Sequence, residues 1–171
     1  MKIAMISFTG NGRRLERSLA HELEKEGHQV LQAVKCKELE SDKDAVKCSA
    51  REWTGEQFRT RDVLIFIGAV QIAVRLIASF IGSKTTDPAV LVLDEKGQYC
   101  IPILSGHIGG ANEMAERIAE MAGALPVITT ATDIRGNRCS CQKESSLYRR
   151  YAEGKANFGK DSGRKDSRGR D

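Results

Sequence analysis

Three short, almost wholly apolar runs constrain the fold of this chain more than any other feature. They are KIAMISF at 2–8, DVLIFIGA at 62–69 and AVLVLD at 89–94. Runs of this length without polar alternation are typical of strands buried on both faces of a parallel sheet. Apolar residues at helical spacing follow two of them, at 13–26 and 70–81. The sequence therefore predicts an α/β fold, a mostly parallel sheet with flanking helices in a Rossmann-like three-layer arrangement.

The other predicted elements complete this architecture. A strand at 28–34 would pair in parallel with the first run, because a helix separates the two. The remaining elements are a hairpin turn at 94–97, a strand at 98–104, a helix at 111–122 that ends at Gly123, and a strand at 126–130. Residues 35–51 are polar and of mixed charge, which predicts a solvated connection. The 70–81 helix is so apolar that burial is expected for it.

Length and charge favour one domain followed by a separate tail. The chain has 171 residues, enough for one domain with a core. Residues 1–137 carry 17 Lys and Arg against 18 Asp and Glu, whereas 138–171 carry 10 against 5. The basic charge therefore belongs to the tail, and this distribution argues against nucleic-acid binding. Residues 137–171 hold only Leu147 and Phe158 as large non-tyrosine hydrophobes, so disorder is expected there.

The apolar runs and the cysteines exclude further classes of protein. None of the runs approaches the roughly 20 apolar residues of a membrane span, and the N-terminal run is too short for a signal peptide. A cytoplasmic protein without membrane contact is expected. The five cysteines lack the paired spacing of metal ligands, so free thiols and no protein metal site are expected.

The segment LSGHIGGANEMA at 104–115 contains the best candidate site. A loop interrupted by glycines runs directly into an amphipathic helix, whose first N–H groups favour negative charge. Ser105, His107 and Asn112 place a hydroxyl, a proton carrier and an amide beside that helix end. The glycines are Gly106, Gly109 and Gly110. The alternative is a plain strand-to-helix connection in which His107 only makes structural hydrogen bonds.

Polar residues elsewhere are weaker candidates. Arg75 is the charged exception on the apolar 70–81 helix, and it either snorkels to the edge or faces an anionic ligand. Lys84 and Asp87 lie in a polar loop and could both face a ligand, although Asp87 before proline is equally well explained as a turn starter. The turn TGNG at 9–12 favours a tight turn over an anion site, because it matches no full phosphate-binding motif.

Hydroxyl groups gather after the last predicted strand. Thr129, Thr130 and Thr132 lie with Asp133 at the carboxyl end of that strand. Such a group suits a polar ligand in the crevice beyond a parallel sheet. A hydroxyl-capped turn with Asp133 as a helix cap explains the same residues without a ligand.

Several segments together resemble one family, the CbiG proteins of cobalamin biosynthesis, which are cobalt-precorrin-5A hydrolases. The matching segments are IAVR at 72–75, Lys84 with DPAV at 87–90, LSGHIGGAN at 104–112 and PVITTATD at 126–133. The first strand and the turn at 9–12 also look like the family's opening. The resemblance therefore covers residues 1–136, a CbiG-like N-terminal α/β domain.

The resemblance implies an activity and roles for the candidate residues. The activity is hydrolysis of the δ-lactone of cobalt-precorrin-5A to cobalt-precorrin-5B, with release of acetaldehyde. His107 is then the candidate general base, with Asp133 as alternative or orienting partner and Ser105 as a third catalytic candidate. Substrate binding falls to Gly106, Gly109, Gly110, Asn112, Arg75, Lys84, Thr129 and Thr130. The partner is a cobalt corrinoid, and no cofactor is implied because cobalt enters within the substrate; homo-oligomerisation is left open.

The end of the chain departs from the family. Full-length members continue through a middle segment into a C-terminal domain, to which nothing here corresponds. Codons compatible with 137–156, read one base later, can spell a segment that looks like the family's continuation, so we hypothesise a frameshift just after Gly136. An inactive fragment, a non-catalytic tetrapyrrole-binding module and a nucleotide-binding domain using the 9–12 turn remain alternatives.

Overall fold

A computed structural model describes residues 1–83, 85–106 and 110–129. The strands are β1 (Lys2–Ser7), β2 (Gln29–Val34), β3 (Val63–Ile67), β4 (Ala89–Leu93), β5 (Tyr99–Leu104) and β6 (Leu125–Pro126). The helices are α1 (Gly10–Lys25), α2 (Ala50–Thr60), α3 (Val70–Ile77) and α4 (Ala111–Ala122), with a short 3-10 turn at Lys37–Leu39. The strands form one sheet in the order β2-β1-β3-β4-β5-β6.

The sheet is mostly parallel and has helices on both faces. β1, β2, β3 and β4 pair in parallel, β5 is antiparallel to β4, and β6 is parallel to β5. Alternate residues of β1 point to opposite faces, as expected for a strand: Ile3 and Met5 pack with α1 and α4, whereas Ala4 and Ile6 pack with α2 and α3. The predicted three-layer α/β architecture is confirmed.

The reversal at β5 determines which loops share an edge of the sheet. We call the side where β1, β3 and β4 begin the amino edge, and the opposite side the carboxyl edge. Val90 pairs with Leu104, so β5 ends at the amino edge, beside the start of β4. β6 runs in the same direction as β5 and therefore also points to the amino edge. The loop before β4 and the loop after β5 thus lie on one side of the sheet, and the chain after β6 runs toward that side.

Helix α2 was not predicted; it begins within the last two residues of the supposed polar connection and occupies the stretch after it. Ser49 caps the helix by accepting from the Glu52 N–H, and the Glu52 side chain accepts from the Ser49 N–H. Such a reciprocal capping box is a sequence-level signal of a helix start. Trp53 and Phe58 then bury one face of α2 against the sheet. The signal was present in the sequence, although charged neighbours obscured it.

Helix α3 is shorter and more exposed than its composition suggests. It ends at Ile77 rather than 81, and Phe80 beyond it packs on Phe58 of α2 with ring centroids 6.2 Å apart. Ala73 and Ile77 are buried, whereas Ile72 and Val74 are 39% and 47% exposed. The expected burial of this helix is therefore wrong: the helix forms an outer layer, and only one of its faces packs against the sheet.

Other boundaries moved by a few residues. α1 begins at Gly10 rather than 13, because Thr9 caps it by accepting from the Gly12 N–H at 3.0 Å. The hairpin between β4 and β5 is confirmed, with Gly97 donating to the Asp94 carbonyl at 3.0 Å. β6 is only two residues long, so the predicted strand at 126–130 is wrong in extent. The expected disorder of 137–171 falls outside the described residues.

A buried ion cluster fastens α1 to the connection after β2. Arg13 is 3% exposed and Glu16 is 0% exposed, and their side chains are 3.1 Å apart. Arg13 also contacts Asp42 at 2.9 Å and Asp44. The Ala45 backbone forms a bridge with Val34 of β2. The connection was expected to be solvated, which is wrong for Asp42, whose side chain is only 5% exposed.

Burial shifts the pKa of Glu16. Removal from water raises the pKa of this carboxyl, although Ser7 Oγ donates to it at 2.5 Å and the Ala33 N–H at 2.9 Å, and both bonds act to lower the pKa. A carboxyl whose pKa is raised in the folded state stabilises the fold below its unfolded pKa. That stabilisation is lost as pH rises through the folded pKa.

Replacing Glu16 with glutamine should therefore alter the pH dependence of stability. The free energy of unfolding of Glu16→Gln, minus that of the parent chain, is expected to increase as pH rises from about 4.5 to about 8. Urea unfolding at several pH values measures this difference, in which carboxylates shared by both proteins largely cancel. A difference that stays constant with pH, or shrinks as pH rises, would contradict the assignment.

Candidate functional site

The glycine loop, residues 105–110, connects β5 to α4 at the amino edge. Two parallel hydrogen bonds close its described ends, since the Ala111 N–H donates to the Ser105 carbonyl at 3.2 Å and the Asn112 N–H to the Gly106 carbonyl at 3.0 Å. We expected the first amides of α4 to be unpaired, and for Ala111 and Asn112 this is wrong. The amides of Ala111 and Asn112 are therefore already engaged within the protein.

The backbone of this loop adopts left-handed conformations at both described ends. Gly110 has φ +75°, where glycine has no Cβ to clash. Ser105 has φ +57°, and within the described ranges it is the non-glycine residue with positive φ. Such a conformation costs on the order of 1–3 kcal/mol and persists when the surroundings enforce it. The strain thus coincides with the segment singled out as the candidate site.

Asn112 packs directly against Gly106. Asn112 is 3% exposed, and a Cβ built on Gly106 would lie 2.8 Å from its Oδ1 atom. Real Cβ atoms do not approach an oxygen so closely, and a buried asparagine side chain has little room to retreat. Gly106 is therefore required for the close approach of the loop to α4.

Replacing Gly106 with alanine should displace the loop. We expect Gly106→Ala to lose about 1–3 kcal/mol of stability, in the range for overpacking at a tight site, and thermal unfolding measures the loss. Gly10→Ala is the matched control, because a Cβ at Gly10 meets nothing within 4 Å. Equal unfolding temperatures for the two variants would show that the Asn112 side chain moves aside at little cost in free energy, which would contradict the prediction.

A second loop is attached to the glycine loop through Ser105. The Ser105 hydroxyl donates to the Asp87 carbonyl at 3.0 Å. Asp87 closes its own loop, since its carboxylate accepts from the Gly82 N–H at 3.0 Å and its N–H donates to the Ser83 carbonyl at 2.9 Å. Asp87 therefore closes the turn that precedes it, so the interpretation of this residue as a turn starter is wrong. The 82–87 loop and the glycine loop therefore form one connected surface at the amino edge.

The predicted site residues fall into three groups. Ser105, Gly106, Gly110 and Asn112 lie together on the glycine loop and the start of α4. Arg75 is exposed in the last turn of α3, which leads to the amino edge, and exposed Thr129 follows β6 toward the same edge. The residues outside the described ranges are His107, Gly109, Lys84, Thr130 and Asp133.

The Thr9–Gly12 turn is separate from this surface. It follows β1 and therefore lies at the carboxyl edge, where it forms the N-cap and first turn of α1. Gly12 lies close to β3, and a Cβ there would be 3.1 Å from Ile67 Cγ2. Helix capping and tight packing account for this turn, in line with the preference for a tight turn over an anion site.

These features define a three-layer α/β domain whose candidate site is built from loops at one edge of its sheet. The family model described as cobalamin synthesis G N-terminal matches residues 52–133. That range contains both the glycine loop and the 82–87 loop. Residues 52–133 are therefore similar to the CbiG N-terminal domain, and the resemblance read from the motifs is confirmed over that range; residues 1–51 lie outside this match.

Individual relatives agree with the family match. Over 79 residues the chain is 56% identical to the cobalt-precorrin-5A hydrolase of Salmonella typhimurium, covering 46% of this chain and 22% of that protein. Over 80 residues it is 49% identical to the enzyme of the same name from Priestia megaterium, covering 47% of this chain and 21% of the relative. The matched region is thus a small part of each relative.

A solved structure extends the likeness beyond the matched sequence. The crystal structure of a cobalamin biosynthesis protein G homolog from Sulfolobus solfataricus matches with a TM-score of 0.61 and 26% sequence identity. The match covers 78% of this chain and 39% of that one. Among the described residues, none of the helices has both the length and the apolar composition needed to cross a bilayer.

Proposed function

We propose that this chain acts in the cytoplasm in cobalamin biosynthesis, on the δ-lactone of cobalt-precorrin-5A. Water adds to the lactone carbonyl and the ring C–O bond breaks, which gives a carboxylic acid and an alcohol. The alcohol then loses its proton, the C–C bond between its carbon and the macrocycle breaks, and the two-carbon fragment leaves as acetaldehyde; the macrocycle keeps the electron pair, takes up a proton and is cobalt-precorrin-5B. The observation that carries the proposal is the 56% identity to a cobalt-precorrin-5A hydrolase over 79 residues. That identity is far higher than a shared fold alone requires.

The chemistry of the amino edge supports this proposal. Attack on a lactone creates an oxyanion, which the amides of Gly109 and Gly110 would stabilise; loss of one such donor typically costs roughly a hundredfold to a thousandfold in rate. His107 would take the proton from water, with Asp133 as alternative base or orienting partner. Ser105 is the third residue with a reactive side chain at this point.

Charged and hydroxyl groups around the loop suit the rest of a corrinoid. The macrocycle carries acetate and propionate carboxylates, for which the Arg75 guanidinium, the Lys84 ammonium and the hydroxyls of Thr129 and Thr130 are suitable partners. Cobalt belongs to the substrate, so these roles require no metal held by the protein.

Supplying cobalt-precorrin-5A to the purified chain and measuring acetaldehyde tests the proposal. Enzyme-dependent acetaldehyde, in proportion to the lactone consumed, is the expected result. The chain spans 22% of its Salmonella relative, so binding of the corrinoid without turnover would instead assign it the role of a tetrapyrrole-binding module. If the chain neither binds the corrinoid nor turns it over, the proposal is refuted.

A further inference from the structure

We propose that Ser105 is a positioning residue, which couples the glycine loop to the 82–87 loop and thereby aligns the two sides of the site. The inference rests on the proposed function and assigns Ser105 a role other than attack on the substrate. Its starting point is the bond from Ser105 Oγ to the Asp87 carbonyl, which links residues 18 positions apart.

The hydrogen bond to the Asp87 carbonyl already uses the hydroxyl proton of Ser105. A serine attacks a carbonyl only when a neighbouring base accepts its proton, but here the hydroxyl donates to a backbone carbonyl, which cannot act as a base at neutral pH. The oxygen is also directed toward the 82–87 loop by a main chain held at φ +57°. The structure therefore favours a connecting role over a nucleophilic one.

Both partners of the bond are themselves fixed, so the coupling is rigid. On one side, the Ser105 carbonyl accepts from the first amide of α4. On the other, the Asp87 carboxylate holds Gly82, and the Thr86 and Asp87 amides both donate to the Ser83 carbonyl, at 3.1 and 2.9 Å. A shift of either loop would therefore have to break the Ser105 bond or carry the other loop with it.

The coupling matters because the two loops carry different parts of the proposed site. In sequence, Lys84 lies inside the 82–87 loop and His107 follows Gly106 in the glycine loop. A binding cation and a general base must be held in fixed relation to the same substrate, since misplacement by about 1 Å can cost a hundredfold in rate. The Ser105 hydrogen bond joins described residues of the two loops that contain Lys84 and His107 in sequence.

Two substitutions separate this role from simple stability. Ser105→Ala and Ser105→Gly both remove the hydroxyl, but glycine accepts the positive φ without strain, so it should fold at least as stably as the alanine variant. In both, kcat for acetaldehyde release should fall roughly tenfold to a hundredfold. The pH profile of the remaining activity should be unchanged, because the titrating base is untouched. Ser83→Ala is the control, because among the described residues that hydroxyl bonds to Thr85 of its own loop.

Hydrogen exchange tests the coupling without relying on activity. Exchange of the Thr86 and Asp87 amides should accelerate about tenfold in both Ser105 variants, the effect of losing one hydrogen bond. Exchange of Gly97 and Gln98 in the distant hairpin should stay constant. Unchanged exchange at Thr86 and Asp87 would overturn the proposal. If turnover were also lost completely, Ser105 would instead be assigned as a nucleophile. A parent chain that releases no acetaldehyde would refute the proposed function, while exchange would still decide the coupling.

Discussion

His107→Ala is expected to lower kcat/KM for acetaldehyde release by about a hundredfold to ten-thousandfold, the contribution of a positioned general base. The imidazole directly follows Gly106, whose carbonyl accepts from the Asn112 amide and whose approach to α4 leaves no space for a side chain. The residue before the base is therefore held firmly.

The experiment has an internal control in the same chain. His21 is exposed on α1, so His21→Ala should change kcat/KM by less than about twofold. The parent enzyme should lose activity as pH falls through the pKa of its base, and the His107 variant should lack that limb. Full activity of His107→Ala would remove the imidazole from the mechanism, leaving Asp133 as the candidate base and the oxyanion argument intact.

Arg13→Ala is expected to cause the largest loss of stability, about 3–5 kcal/mol, as found when one partner of a buried ion pair is removed. Two carboxylates that Arg13 contacts are almost inaccessible, Glu16 at 0% and Asp42 at 5% side-chain exposure. Without the guanidinium these groups stay buried without their main counter-charge. Hydrogen bonds from Arg13 also lower the pKa of Asp42. Loss of the arginine therefore removes an interaction that stabilises the charged form of the Asp42 carboxylate.

Arg14 provides the matched control for this substitution. It is the next residue of α1 but is exposed and contacts only Asn11 among the hydrogen bonds of the described residues. Arg14→Ala should change the free energy of unfolding by at most about 0.5 kcal/mol. Urea unfolding measures both, and equal losses would refute the cluster's role. Arg13→Met combined with Glu16→Gln should recover part of the loss, because fewer buried charges remain unpaired.

The architecture could be predicted from sequence because its strands are recognisable one by one. KIAMISF, DVLIFIGA and AVLVLD predict β1, β3 and β4 without reference to anything distant, since strands buried on both faces need apolar residues at every position. The glycine that ends α4 and the turn before β5 are equally local signals. The glycine loop before an amphipathic helix is likewise a local signal, and the family motifs include it.

What could not be predicted depends on contacts between distant residues. Burial of Arg13 has no local signal in the sequence, because Asp42, which it contacts, lies 29 positions away. Likewise, Ser105 and Asp87 are both polar loop residues in sequence, and only the reversal at β5 places the two loops side by side. Helix α3 was misjudged for a related reason, because composition reports how apolar a helix is but not how many of its faces are covered.

The short bridge between Val34 and Ala45 bears on whether two copies of this protein can associate edge to edge through their sheets. β2 is the outermost strand on its side of the sheet, and a bare outer strand invites strand addition from another chain. The Val34 N–H donates to the Asp44 carbonyl and the Val46 N–H to the Val34 carbonyl. Arg13, which neutralises the buried carboxylates, thereby helps to hold residues 44–46 against the end of β2. This segment covers the outer edge of β2 at Val34, so that another chain cannot add a strand there.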